Sequence, residues 1–286
     1  MAERLRACPA LRPGDTVAVL AASGPAEQDR LDGGLAALEG LGLKPDVLAS
    51  ARASTDPLDG GYLAGDDAQR AADLTTALSE AAYRGVFCAR GGYGAQRTLE
   101  LVDWSAVDRD LPRVLVGYSD VTALIEAIAS RLGWVTLFGP MVTGADFHAG
   151  SYAFDILARM LFEPAAAREL TFPGARTLVP GVAEGVTTGG TLSLLASSIG
   201  TPTSVPADGA ILMIEEVDEE PYRLDRLLTQ LRRSGYLDGV SGVLAGSFSE
   251  CGDPGLVERL LLDRLGDLGV PILAGADIGH GVPQQT

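Results

Sequence analysis

The chain has 286 residues, 47% of them hydrophobic, which is enough apolar surface for two domains rather than one. Its formal charge of −16 argues against nucleic acid and anionic membrane as partners, because both are bound through clustered Lys and Arg. Three cysteines without metal-ligand spacing argue against a disulfide framework or a zinc site and fit a reducing cytosol; only His148 and His280 can supply an imidazole.

Residues 1–15 contain Arg4 and Arg6 but no apolar run before Pro9 and Pro13, so no secretory signal is read there. A short apolar strand is predicted over 16–21, closed by Ser23-Gly24-Pro25, and a helix over 28–41, where Leu31, Leu35, Leu38 and Leu41 recur before Gly42. The alternation continues with strands at 47–48, 85–89 and 113–117 and helices at 67–78, 95–101 and 121–128. This βαβα order, with unbroken apolar strands such as Val114-Leu115-Val116, predicts an α/β fold with a doubly wound parallel sheet.

A helix is expected over 152–161. Pro164, Pro173, Gly174, Pro180 and Gly181 then mark residues 163–181 as a linker between an N-terminal domain, 1–162, and a smaller C-terminal α/β domain, 182–286. The uncharged stretch 185–207 is rich in Gly, Thr, Ser and Pro and reads as looped rather than membrane-spanning, so a cytoplasmic protein is expected. Strands follow at 210–214, 243–245 and 272–274, with an amphipathic helix carrying Leu224, Leu227, Leu228 and Leu231 and another helix over 256–265.

Gly117-Tyr118-Ser119-Asp120 ends a buried strand and runs directly into a helix, which is the shape of a nucleophile elbow. The hydroxyl of Ser119 would be exposed above the sheet, with the Asp120 N–H facing a developing oxyanion. On this turn alone, a helix-capping role for Ser119 is as good a reading, since Val121 replaces the second glycine of G-x-S-x-G. Arg90-Gly91-Gly92-Tyr93-Gly94 follows another buried strand; it fails the dinucleotide spacing and reads either as a tight βα connection or as the source of a second oxyanion donor. Cys88, inside that strand, reads as a buried inert thiol.

His280, between Gly279 and Gly281 after the last predicted strand, lies where α/β sheets form ligand sites, whereas His148 reads as an exposed loop residue. The acidic run from Glu215 to Glu220 is expected to be largely a solvated loop and helix start, and periodicity does not choose between Glu215 and Glu216 as the residue that turns inward.

These blocks, together with Gly189-Gly190, Gly200-Thr201-Pro202 and Pro221-Tyr222-Arg223, resemble the LD-carboxypeptidases and the related microcin C immunity peptidases over nearly the whole chain. The resemblance implies a flavodoxin/glutaminase-like N-terminal domain with a C-terminal swivelling domain, and a catalytic triad of Ser119, Glu215 and His280. It also implies oxyanion donors at Asp120 and at Gly91 or Gly92, with no metal or other cofactor. The activity implied is release of the terminal D-alanine from murein tetrapeptides by a homodimeric cytosolic serine peptidase. Arg90, Tyr93 and Arg223 are candidates for substrate binding by position. The short span from Glu215 to His280 favours the murein branch over an immunity-type amidase, and further chain is expected after Thr286. A noncatalytic ligand-binding protein on the same scaffold is the remaining alternative.

Overall fold

A computed structural model describes residues 5–53, 60–166 and 169–281. They form two compact units that divide between Glu169 and Leu170. Residues 163–181, expected as a linker, therefore straddle the division, and they supply a strand to the second unit. The expected tail beyond Thr286 lies outside the described residues.

The first unit runs β1 (Thr16–Leu20), α1 (Gln28–Gly40), β2 (Lys44–Val47), α2 (Asp67–Ser79), β3 (Tyr83–Cys88), α3 (Ala95–Leu99), β4 (Val114–Gly117), α4 (Thr122–Leu132), β5 (Leu137–Phe138) and α5 (Tyr152–Phe162). Its sheet is parallel throughout, in the flavodoxin-like order β2-β1-β3-β4-β5. Alternation along β1 divides its side chains between two faces. Val17 and Val19 join Phe87, Val116 and the helix residues Leu31, Leu38, Phe154 and Leu157 in one apolar cluster. Leu74, Leu78 and Leu124, fully buried but outside that cluster, belong to α2 and α4, and α2 packs on β1 and β3.

Local chemistry sets the helix ends. The Asp66 carboxylate accepts from Gln69 N–H at the start of α2, Ser151 does the same for Phe154 in α5, and Gly133 closes α4 in the left-handed region. The two-residue strand β5 escaped the sequence reading because such a segment carries no periodicity.

The second unit runs β6 (Arg176–Val179), β7 (Val186–Thr191), α6 (Leu192–Ser198), β8 (Ala210–Val217), α7 (Pro221–Arg233), β9 (Gly242–Ser249), α8 (Pro254–Leu265) and β10 (Ile272–Ala274). The sheet order is β6-β10-β9-β8-β7, parallel except for the edge strand β6. Leu212, Ile214, Val243 and Ala245 of the sheet pack with Leu195, Leu224, Leu228, Leu231, Val257 and Leu261 of the helices. Part of the stretch expected as loop is thus the edge strand β7. Gly189 and Gly190, at φ 124 and 148, deprive it of a strand-like pattern, and a Cβ on Gly189 would lie 1.8 Å from the Met213 carbonyl oxygen.

Candidate active site

In the first unit, β4 delivers the chain into a turn that only certain residues permit. A Cβ on Gly117 would lie 2.7 Å from Val121 Cγ1, so the helix returns too close for any side chain there. Ser119 follows at φ 63, one of three non-glycine residues with positive φ among the described residues. Such a conformation costs about 1–2 kcal/mol and is found where backbone strain serves a purpose. The cap positions of this turn and of α4 fall on Tyr118 and Val121.

The glycine-rich turn after β3 lies against the serine: a Cβ on Gly91 would come within 3.0 Å of Ser119 Cβ and 3.2 Å of its Oγ. Gly24 N–H donates to the Gly91 carbonyl at 2.9 Å. In a trans peptide the next N–H points the opposite way, so that of Gly92, at φ 104, is aimed away from Gly24. The buried Asp120 carboxylate accepts from Ala95 N–H at 2.8 Å and so ties the serine turn to the start of α3. Burial pushes the Asp120 carboxyl above the ordinary aspartate range, with the Ala95 amide and Arg70 opposing.

Other residues singled out in this unit have plainer surroundings. Cys88 is fully buried, and burial, reinforced by Asp120, pushes its thiol to about 12, so little thiolate exists near neutral pH. Arg90 is exposed and donates to the Pro25 carbonyl at 3.1 Å. Tyr93 is half exposed and meets Tyr62 edge-on with ring centroids 5.7 Å apart. His148 is an exposed loop residue with Nδ1 3.2 Å from the Ala149 carbonyl oxygen.

In the second unit one of the first two residues of the acidic run is expected to turn inward, and both are buried. Strand β8 continues to Val217, and Glu215 and Glu216 are both buried within it. Pairing with β9 shifts register between Ile214 and Glu216, a bulge of the kind that redirects side chains near functional sites. Glu215 Oε2 accepts from His280 N–H at 3.1 Å and lies 2.7 Å from His280 Nδ1. Glu215 Oε1 accepts from the Thr191 hydroxyl at 2.5 Å.

The histidine turn is held by close backbone approaches. A Cβ on Gly279, at φ 107, would lie 2.3 Å from Glu215 Oε2, and one on Gly246 would lie 2.4 Å from the Ile278 carbonyl oxygen. Ser247 N–H donates to that carbonyl at 2.8 Å, and Gly281 N–H donates to the Ser247 hydroxyl at 2.8 Å. Arg223, at the start of α7, is ion-paired with Glu219, with Nη2 3.0 Å from Oε1. The sequence reading missed Thr191 because it lay in the glycine-rich stretch; β7–β8 pairing places it beside Glu215, and that pairing is a tertiary fact.

Glu216 has a different occupation. Its Oε2 accepts from Ser193 N–H at 2.7 Å and its Oε1 from Val217 N–H at 3.0 Å, which caps α6. Burial raises the Glu216 carboxyl above the ordinary glutamate range, with the two amides opposing and Glu215 adding to the rise. The unfolded chain releases this proton at lower pH than the folded one. The linked stabilisation is thus complete below the ordinary glutamate value and is lost as pH climbs through the raised folded value. The stability difference between wild type and Glu216→Gln is therefore expected to move against the wild type as pH rises from about 4 toward neutrality. Urea unfolding across that range measures it, and a difference moving in favour of the wild type would contradict the assignment.

Among the described residues, no cluster of three or more His, Cys, Asp or Glu could hold a metal ion, and no helix is long and apolar enough to cross a membrane. Residues 17–139 match the family model for the LD-carboxypeptidase N-terminal domain, and residues 184–286 match that for the LD-carboxypeptidase C-terminal domain. A Streptomyces coelicolor protein named as a carboxypeptidase is 51% identical over 94% of this chain and 86% of its own length. A Bacillus subtilis protein named as a murein peptide carboxypeptidase is 38% identical over 96% of this chain and 86% of its own. Among solved structures, the microcin C7 self-immunity protein MccF superposes with a TM-score of 0.84, covering 98% of this chain and 92% of that one at 23% identity, a likeness of fold.

Proposed function

Since the chain belongs to the LD-carboxypeptidase family, and is thus a serine-type carboxypeptidase, we propose that it releases the C-terminal D-alanine of murein tetrapeptides through Ser119, His280 and Glu215. The observation that carries this reading is the contact of 2.7 Å between His280 Nδ1 and the buried Glu215 carboxylate. An ionised carboxylate only accepts hydrogen bonds, so Nδ1 carries the hydrogen and Nε2 is the basic nitrogen of the neutral ring. The strained backbone of Ser119 supports the nucleophile assignment independently.

In the reaction, the Ser119 hydroxyl attacks the carbonyl carbon of the L-to-D peptide bond while His280 takes its proton. The tetrahedral oxyanion is stabilised by the N–H groups of Asp120 and Gly92, each contributing on the order of 10²–10³ in rate. Gly92 is preferred to Gly91 because Gly24 already fixes the peptide plane between them. His280 then passes the proton to the departing D-alanine amine, and water hydrolyses the acyl-enzyme by the same route. Arg90 is the better partner for the substrate's terminal carboxylate, since Glu219 already neutralises Arg223. Tyr93, half exposed two residues after the Gly91 carbonyl, would line the substrate's path. Residence in the cytosol and assembly as a homodimer belong to the same proposal.

Chromatographic assay of free D-alanine from the tetrapeptide tests the reading, with a peptidyl-nucleotide conjugate assayed beside it. Faster turnover of the tetrapeptide is the expected result; preference for the conjugate would move the protein to the immunity-type amidases. Turnover is also expected to survive a chelator, and loss of activity restored by added metal would assign a different peptidase class.

A further inference from the structure

The hydroxyl of Thr191 stands where a helix-capping group belongs and serves another purpose. Thr191 occupies the N-cap of α6 with extended backbone, yet its side chain makes no capping hydrogen bond to that helix. Threonine in this position ordinarily satisfies an amide of the first turn. Here Glu216, from the neighbouring strand, takes over that duty by accepting from Ser193 N–H. The Thr191 hydroxyl, in a residue only 3% exposed, donates instead to Oε1 of Glu215, its direct partner in the parallel β7–β8 register.

We infer that Thr191 is a positioning residue for the proposed triad: by anchoring Glu215 Oε1, it keeps Oε2 in line with both the backbone N–H and Nδ1 of His280. The inference rests on the Ser119–Glu215–His280 reading. Rotation about the last bond of a glutamate side chain is soft, so a carboxylate held through one oxygen can swing. Holding the second oxygen removes that freedom. The glycine at 279 leaves the Oε2 side open to the His280 backbone, and Thr191 fixes the opposite side. Two adjacent glutamates thus divide the work, with Glu216 capping the helix so that the threonine is available to Glu215.

Replacement by valine preserves the branched shape and removes only the hydroxyl. Thr191→Val is expected to lower kcat on the order of 10-fold to 10²-fold with KM within about twofold, since only the geometry of the reacting groups changes. Thr191→Ser is expected to recover most of the loss. In a Glu215→Gln background, the valine substitution should have little further effect, because the group it positions has gone. Thermal unfolding of each variant keeps a folding defect apart from a catalytic one, and Thr191→Ala, which also lacks the hydroxyl, carries the same expectation should valine not fold. Wild-type kcat in Thr191→Val beside a strongly impaired Glu215→Gln overturns this inference alone. Wild-type activity in Glu215→Gln overturns the triad reading and the inference with it.

Discussion

Ser119→Ala is expected to lower kcat by roughly 10⁴-fold to 10⁶-fold without loss of the fold, because it removes the oxygen proposed to attack and no other heavy atom. Serine and alanine carry the same Cβ, so the positive φ of 63 at this position is equally strained in both. The melting temperature should therefore stay close to that of the wild type. Ser119→Gly separates the two properties further. Glycine adopts left-handed backbone without a steric penalty, so this variant should be inactive and more stable, by about 1 kcal/mol. Kinetics with the murein tetrapeptide and calorimetry on all three proteins provide the measurement. Substantial turnover by folded Ser119→Ala would dismiss Ser119 as nucleophile, and a destabilised glycine variant would dismiss the strain account of the elbow.

Gly279→Ala should be nearly as damaging to turnover although the residue carries no functional group. The new methyl would start 2.3 Å from Glu215 Oε2 and 2.6 Å from its Cγ, on backbone at φ 107 that L side chains rarely adopt. Either the carboxylate leaves the His280 N–H and Nδ1, or the turn carrying the imidazole shifts. Each result breaks the alignment of the Glu215 carboxylate with His280, the proposed base. A loss on the order of 10³-fold or more in kcat is expected, by analogy with disabling the carboxylate of a serine triad. Stability should fall by about 1–3 kcal/mol from the strain and the disturbed buried carboxylate. Activity within tenfold of the wild type would mean that the Glu215–His280 contact does not limit catalysis. Gly117→Ala, with a clash against Val121 in the other unit, makes a useful comparison because it disturbs the serine turn instead.

Much of the architecture is local enough to be read from the chain. Continuous apolar strands such as Val114-Leu115-Val116, followed by helical periodicity, announce a parallel sheet, because doubly buried strands and one-sided helices leave those patterns. The serine elbow, the glycine-rich turn and the glycines around His280 were legible for the same reason: each is a short stretch whose residues meet a local steric demand. The strands β6 and β7 were not, since edge strands with exposed residues and positive-φ glycines have no apolar signature.

The choice between Glu215 and Glu216 shows where local information ends. Both are buried on one strand, one residue apart, with the same side chain. From the residues alone neither outranked the other, and family resemblance named Glu215. Which one meets a histidine and which one caps a helix depends on the pairing of β8 with β7, the bulge opposite β9 and the return of the chain at Gly279. Sequence by itself determined the layered α/β architecture and the turns that can carry chemistry, because short-range sterics and periodic burial act between near neighbours. Tertiary structure decided the partnerships of Glu215, Thr191 and His280, because hydrogen bonds between residues 24 and 65 positions apart exist only once the strands are in register.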